Sequence, residues 1–228
     1  MAVKHQSKIV YIHTIKGLDG LFDDLTRKFI PEAKAFHIID ETLIYTALSE
    51  GKATPYIYRR VTEHAVSAVE FGANVIQLTC SSISETADLV GLSVTVPLLK
   101  IDEPMVREAV NKYRTIGIIA TAPTTLNPTL RLVAGEADAA GKDVKAVPVL
   151  CEGAYSAYLQ GDKDRHDRIV KKHLLELMEE VDVILLAQVS IARIVETLKE
   201  GEVRVPVLSS PEPAVRHIAE VLKGGNSV

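Results

Sequence analysis

The chain nearly repeats itself, and that repeat constrains its fold more than any other feature. Ala73-Asn74-Val75-Ile76-Gln77-Leu78-Thr79-Cys80-Ser81-Ser82-Ile83 aligns with Val181-Asp182-Val183-Ile184-Leu185-Leu186-Ala187-Gln188-Val189-Ser190-Ile191. Downstream, Val96-Pro97-Leu98-Leu99 matches Val205-Pro206-Val207-Leu208, and Glu103-Pro104-Met105-Val106-Arg107 matches Glu212-Pro213-Ala214-Val215-Arg216. Upstream, Lys8-Ile9-Val10-Tyr11-Ile12-His13-Thr14 matches Thr115-Ile116-Gly117-Ile118-Ile119-Ala120-Thr121. One unit is built twice, so two equivalent strand ends are expected to face each other across a pseudo-twofold cleft. One end carries Cys80 and the other Gln188: the thiol exists on one side only.

Short β-branched runs alternate with longer amphipathic segments. Strands are expected at 8–13, 35–39, 74–79, 96–99, 115–120, 144–149, 182–187 and 205–208. Helices are expected near 18–28, 41–50, 55–72, 82–91, 102–112, 124–140, 152–160, 164–180, 189–199 and 211–223. Such alternation predicts βαβ units with parallel pairing. The expected fold class is therefore α/β, with two pseudo-symmetric Rossmann- or flavodoxin-like lobes and the site in the cleft between them. Hydrophobic content is 47% with only 5% aromatic residues and no Trp. The core must then be aliphatic, as in parallel sheets buried between helices. The expected lobes are 1–99 plus 205–228, with the closing strand and helix crossing back, and 100–204.

A net charge of −4 without a basic stripe argues against a nucleic-acid partner. The first apolar run is too short for a membrane span or signal peptide. Two cysteines, Cys80 and Cys151, form no disulfide framework, and no Cys/His cluster offers a metal ligand set. Neither a phosphate-binding P-loop nor a dinucleotide fingerprint occurs. A cytoplasmic protein acting on a small molecule without cofactor or metal is the expectation.

Ligands of open α/β sheets bind beyond the carboxyl ends of the strands. Those ends carry His13-Thr14, Cys80-Ser81-Ser82, Thr121, Gln188-Val189-Ser190 and Ser209-Ser210. Cys80 is the candidate catalytic residue: it ends a strand and precedes a helix, and Ser82-x-x-Glu85 reads as a capping box there. A helix start lowers a thiol pKa. Ser81 and Ser82 offer hydroxyls and amides to a carboxylate or enolate oxygen, and Thr14 closes the neighbouring strand. Thr121, Thr124 and Thr125, around Pro123, form the matching hydroxyl cluster of the second lobe. Gln188, with Val189 and Ser190 beside it, can donate and accept hydrogen bonds but cannot be a general base. Cys151 reads as structural. His13 and Lys16 are placed to reach a carboxylate. His64, His166, His173 and His217 fall on helical segments and read as solvated, as does the charged run 162–168.

With these motifs in order and duplicated over essentially the whole chain, the sequence resembles the cofactor-independent aspartate/glutamate racemase superfamily. That group includes hydantoin racemases, maleate isomerases and arylmalonate decarboxylases. The resemblance rests on Val10-Tyr11-Ile12-His13-Thr14, Thr79-Cys80-Ser81-Ser82, Ile116-Gly117-Ile118-Ile119-Ala120-Thr121 with Thr124-Thr125, and Val205-Pro206-Val207-Leu208 with Pro211. It implies an enzyme in which one cysteine from each lobe flanks the substrate's α-carbon, with Cys80 as the first-lobe thiol. Gln188 departs from that pattern. This favours a one-base proton shift, a stereospecific protonation or a covalent Cys adduct over two-thiol racemisation. The resemblance also implies a small carboxylate substrate, such as an amino acid or its derivative, and a homodimer. The alternatives are a decarboxylase, in which Cys80 protonates the enolate left by carbon dioxide, and a binding protein whose site has decayed at Gln188.

Overall fold

Each half of the repeat builds a four-stranded parallel sheet, seen in a computed structural model that describes residues 6–199 and 201–224. In the first, β1 (Lys8–His13), β2 (Lys34–Ile39), β3 (Val75–Leu78) and β4 (Leu98–Lys100) lie in the order β2-β1-β3-β4. In the second, β5 (Thr115–Ala120), β6 (Lys145–Leu150), β7 (Val183–Leu186) and β8 (Val207–Ser209) lie in the order β6-β5-β7-β8. The registers correspond residue for residue. Ile9 pairs with Val75 as Ile116 pairs with Val183, and Ile76 pairs with Leu98 as Ile184 pairs with Val207. One side-chain device recurs at both sheet entrances. Asn74 Oδ1 accepts the Lys8 N–H at 2.8 Å, and Asp182 Oδ2 accepts the Thr115 N–H at 2.7 Å.

The helices are α1 (Asp19–Phe29), α2 (Glu41–Glu50), α3 (Pro55–Phe71), α4 (Ser81–Ser84), α5 (Thr86–Val90), α6 (Glu103–Lys112), α7 (Pro123–Ala140), α8 (Ala154–Leu159), α9 (Lys163–Leu177) and α10 (Pro211–Gly224). Asp40 begins α2 as an N-cap that accepts the Thr42 N–H. Gly72 and Gly141 stop α3 and α7 in the left-handed region, which costs a glycine nothing. Two helices expected from the pattern differ in form. The segment expected at 82–91 breaks at Glu85 into α4 and α5, and 189–197 winds as a 3₁₀ helix.

Two compact units result: residues to Ile101 with those from Pro211 onward, and Asp102–Ser210. The expected boundary at 205 shifts, because β8 stays paired with β7 in the second unit and only α10 joins the first, against α1. Likewise α6 belongs to the second unit, although β4 just before it belongs to the first.

In the first unit, Val10, Ile12, Ile76 and Leu78 pack beneath Leu43, Ile57, Val61 and Ile83 of the helices on one sheet face. The second unit has an apolar cluster on each face: one with α6 and α7, the other with α8, α9 and the 3₁₀ segment. Burial on this scale, at roughly 25 cal/mol per Å² of apolar surface, is what holds such sheets together. Among the described residues no helix is long and apolar enough to cross a membrane.

Candidate active site

In each sheet the strand order reverses between its first and third strands, and a crevice opens beyond their carboxyl ends at such a point. Thr14 and Cys80 follow β1 and β3 there, two residues beyond the pair Ile12 and Leu78. Thr121 and Gln188 stand in the corresponding places beyond Ile119 and Leu186. The backbone of Cys80 (φ −140°, ψ 121°) and that of Gln188 (φ −138°, ψ 135°) turn in the same way. The two ends are one device carrying different chemistry.

Cys80 is half-buried at the N-cap of α4, and its carbonyl accepts the Ile83 N–H at 3.1 Å and the Ser84 hydroxyl at 3.3 Å. The N-cap lies two residues before the one expected at Ser82. Cys80 holds the N-cap position, Ser82 is the second helical residue, and Glu85 lies at the break before α5. A four-residue helix also has little macrodipole, so any help it gives the thiol comes from the first-turn amides. Ser81 and Ser82 are buried in that turn, and Thr14 is buried beside them with no partner for its hydroxyl among the described residues.

Gln188 is half-buried and anchored. Its Oε1 accepts the Thr121 N–H at 2.6 Å and the Thr121 hydroxyl at 2.9 Å. Both donors of Thr121 are thereby engaged inside the protein. The same bonds fix the amide's orientation, leaving Nε2 as a donor without a partner among the described residues. Thr124 and Thr125 are buried in the first turn of α7, whose N-cap is Ala122. Val189 and Ser190 open the 3₁₀ segment, half-buried.

His13 and Lys16 take other places than expected. His13 is the last residue of β1 and fully buried. Its Nδ1 lies 2.9 Å from Thr79 Oγ1 and its Nε2 lies 2.9 Å from His37 Nδ1. Burial, with His37 beside it, pushes its pKa down to about 4, so it is a neutral imidazole at pH 7. Lys16 is exposed and pairs with Glu41 at 2.7 Å. Cys151 is buried at the end of β6, where desolvation pushes its thiol up to about 12, as a structural cysteine requires.

Three of the helical histidines are less solvated than expected. His64 donates or accepts at 2.8 Å with Asp40 Oδ2, His166 is buried 2.7 Å from Asp167, and His173 Nδ1 meets the Ile169 carbonyl at 2.9 Å. The run 162–168 is tied down too: Asp167 receives Arg193 bidentately at 2.6 and 2.7 Å. Sequence reasoning missed Asp40, at the end of β2. Burial opposes its ionisation, but hydrogen bonds from Thr42, His64 and Arg60 outweigh that and hold its carboxyl well below the usual range. It also missed Asp23, His37 and Thr79, which extend the His13 contacts. Among the described residues, no group of three or more His, Cys, Asp or Glu side chains is placed to hold a metal ion.

Solved structures share this architecture. Glutamate racemase isoform RacE1 from Bacillus anthracis superposes with a TM-score of 0.71 at 17% identity, over 97% of this chain and 83% of that one. Allantoin racemase from Klebsiella pneumoniae superposes with a TM-score of 0.71 at 16% identity, over 96% and 89%. Picrophilus torridus aspartate racemase does so with a TM-score of 0.68 at 14% identity, over 96% and 94%. At such identities the likeness establishes the fold. No curated protein matches the sequence. The family model for Asp/Glu/hydantoin racemases, however, matches residues 21–218, a span that takes in Cys80 and Gln188 though not Thr14. A duplicated parallel α/β unit with a cysteine at its first switch point is thus a member of the Asp/Glu/hydantoin racemase family.

Proposed function

We propose that this chain is a cofactor-independent isomerase of racemase type that acts on a small carboxylate, with Cys80 as its one acid/base. The observation that carries the reading is the anchoring of Gln188: its Oε1 is held by Thr121, and only an amide donor is left where a second thiol would stand. An amide neither takes nor gives a proton near neutral pH, so proton transfer at carbon falls to Cys80. The thiolate removes the proton next to the carboxyl, and the resulting enolate needs hydrogen-bond donors where its charge develops. Ser81, Ser82 and Thr14 supply donors beside Cys80, and the Gln188 amide supplies one at the second strand end. Thr124 and Thr125, in the first turn of α7, extend that second group. The proton returns from the same sulfur, which gives exchange or a proton shift with retention.

The same anchoring favours one second reading, decarboxylation. Loss of carbon dioxide generates the enolate without any base, and a single thiol then suffices to protonate it.

Proton NMR in deuterium oxide, on a panel of 2-amino, 2-hydroxy and dicarboxylic acids, separates these. Exchange at the α-carbon that falls by about 10³-fold or more in Cys80→Ser establishes the one-base isomerase. Release of carbon dioxide establishes the decarboxylase. Ligand binding with neither reaction overturns both in favour of a site that has lost its chemistry.

A further inference from the structure

Each sheet has two outer strands, and three of these four edges are blunted. β4 and β8 are three residues long and follow Pro97 and Pro206. β6 carries Pro148 within it. Short outer strands and edge prolines keep a sheet from adding strands of another chain. β2 is six residues long, Lys34–Ile39, and contains no proline.

The register shows what Pro148 removes. In β2 the Lys34 N–H donates to the Ser7 carbonyl at 2.8 Å, and the Asp40 N–H donates to the His13 carbonyl at 2.9 Å. The bonds of a parallel ladder engage alternate residues, so Lys34, Phe36, Ile38 and Asp40 face β1. Ala35, His37 and Ile39 turn their N–H and C=O groups outward, and among the described residues no other backbone hydrogen bond reaches them. In β6 the matching bonds run from the Lys145 N–H to the Arg114 carbonyl and from the Cys151 N–H to the Ala120 carbonyl, at 2.8 Å each. Pro148 pairs with Ile118 as His37 pairs with Tyr11, so it takes the outward place of His37. The second unit lacks the central donor of this edge, and the first unit keeps it.

The side chains along β2 suit a strand that is covered. Phe36 packs edge-on against Phe71 with ring centroids 4.7 Å apart, and Phe71 is 48% exposed. Ile39, on the other face of the strand, is 44% exposed. Charge is divided between the two ends. Lys34, exposed and with no ion-pair partner among the described residues, begins the strand, and Asp40-Glu41 follow its last residue.

We propose that the free edge of β2 pairs with the same edge of a second copy of this chain, antiparallel and centred on His37, so that two first-unit sheets join into one. This register uses every outward group. His37 meets His37 and Ala35 meets Ile39, each pair exchanging both of its backbone bonds, whereas a shift by two residues leaves Ala35 or Ile39 unpaired. It also sets Phe36 against Ile38, an aromatic residue against a β-branched one, and brings Lys34 opposite the acidic end of the other copy. Both ring nitrogens of His37 are engaged within their own unit by His13 and Asp23, so the two rings need nothing from each other at the axis. The operation is twofold: each off-axis contact occurs twice, and the assembly closes as a dimer. The reading of Cys80 does not enter.

Sedimentation velocity over a dilution series, with hydrogen exchange of the amides of residues 34–40, tests this. The wild-type chain is expected to be a dimer whose Ala35, His37 and Ile39 amides exchange slowly and become fast on dilution to the monomer. Lys34→Glu breaks no ion pair within its own chain but sets acid against acid across the axis. It is expected to raise the dissociation constant about tenfold or more. Ile39→Lys, at an exposed position, is expected to weaken the dimer at least as much by placing a charge in the paired edge. His37→Pro reproduces the edge of β6 and is expected to be a monomer, with its fold checked by circular dichroism. A wild-type monomer overturns the proposal: slow edge amides would mean that another segment of the chain covers β2, and fast ones that the edge is bare. A dimer whose dissociation constant is unmoved by both Lys34→Glu and Ile39→Lys pairs through a different surface and overturns it as well.

Discussion

At the scale of single residues, the site is defined by which groups are already engaged. Thr121 has the hydroxyl and the position expected of a substrate ligand, yet Gln188 takes both of its donors, whereas the Thr14 hydroxyl has no partner among the described residues. Replacing Gln188 by Ala leaves the Thr121 N–H without its acceptor; we expect a loss of about 1–2 kcal/mol, read by urea unfolding. His13 makes a second prediction. Its folded pKa of about 4 lies below the ordinary value of 6.5, so the unfolded chain binds the extra proton first as pH falls. Its contribution is fully present above pH 6.5 and is lost progressively toward pH 4. Between pH 8 and pH 5 the loss is about 2 kcal/mol, and His13→Ala should flatten that limb of a stability–pH profile. The sequence placed Cys80, Thr14 and Gln188 correctly at strand ends, because strand ends follow from local periodicity. It misplaced the role of His13, because which face of β1 is covered depends on Phe22 and Thr26 of α1, which no local pattern around His13 encodes.

At the scale of elements, the repeat keeps the backbone and redistributes volume. Val10 and Ala73 of the first unit correspond to Gly117 and Val181 of the second, so the bulk moves from strand to helix–strand turn. A Cβ built on Gly117 would lie 2.8 Å from Leu177 Cδ2 and 3.2 Å from Val181 Cγ2. Gly117→Ala should therefore destabilise by about 1–3 kcal/mol in thermal or urea unfolding, although alanine suits a strand better than glycine. Strand positions were legible to within two residues, since paired β-branched runs appear twice and each copy supports the other. The helix after Cys80 was not. Its first turn is made entirely of buried Ser and Ile, and the chain breaks at Glu85 to bury Thr86 and Ala87, a tertiary demand that overrides the capping pattern.

At the scale of the whole molecule, the two units exchange helices. α6 follows β4 in sequence but packs in the second unit, while α10 follows β8 and packs in the first. The repeat in the sequence anticipated a crossing but put the closing strand with the wrong sheet, because Val205-Pro206-Val207-Leu208 has no feature that separates its pairing from that of the helix behind it. A chain ended at Ser210 would keep the second unit and strip α10 from α1 in the first. We expect this shortened protein to retain a cooperative transition for the second unit, to bind an apolar dye such as ANS, and to expose Phe22 and Thr26 to hydrogen exchange.

The exchange of helices also orders events during translation. Asp102–Ser210 is one uninterrupted stretch, whereas the first unit is built from segments on either side of it. A ribosome therefore completes Asp102–Ser210 before α10 can close the first unit against α1. The α1 face of the thiol-bearing unit is thus covered only after the second unit has been made.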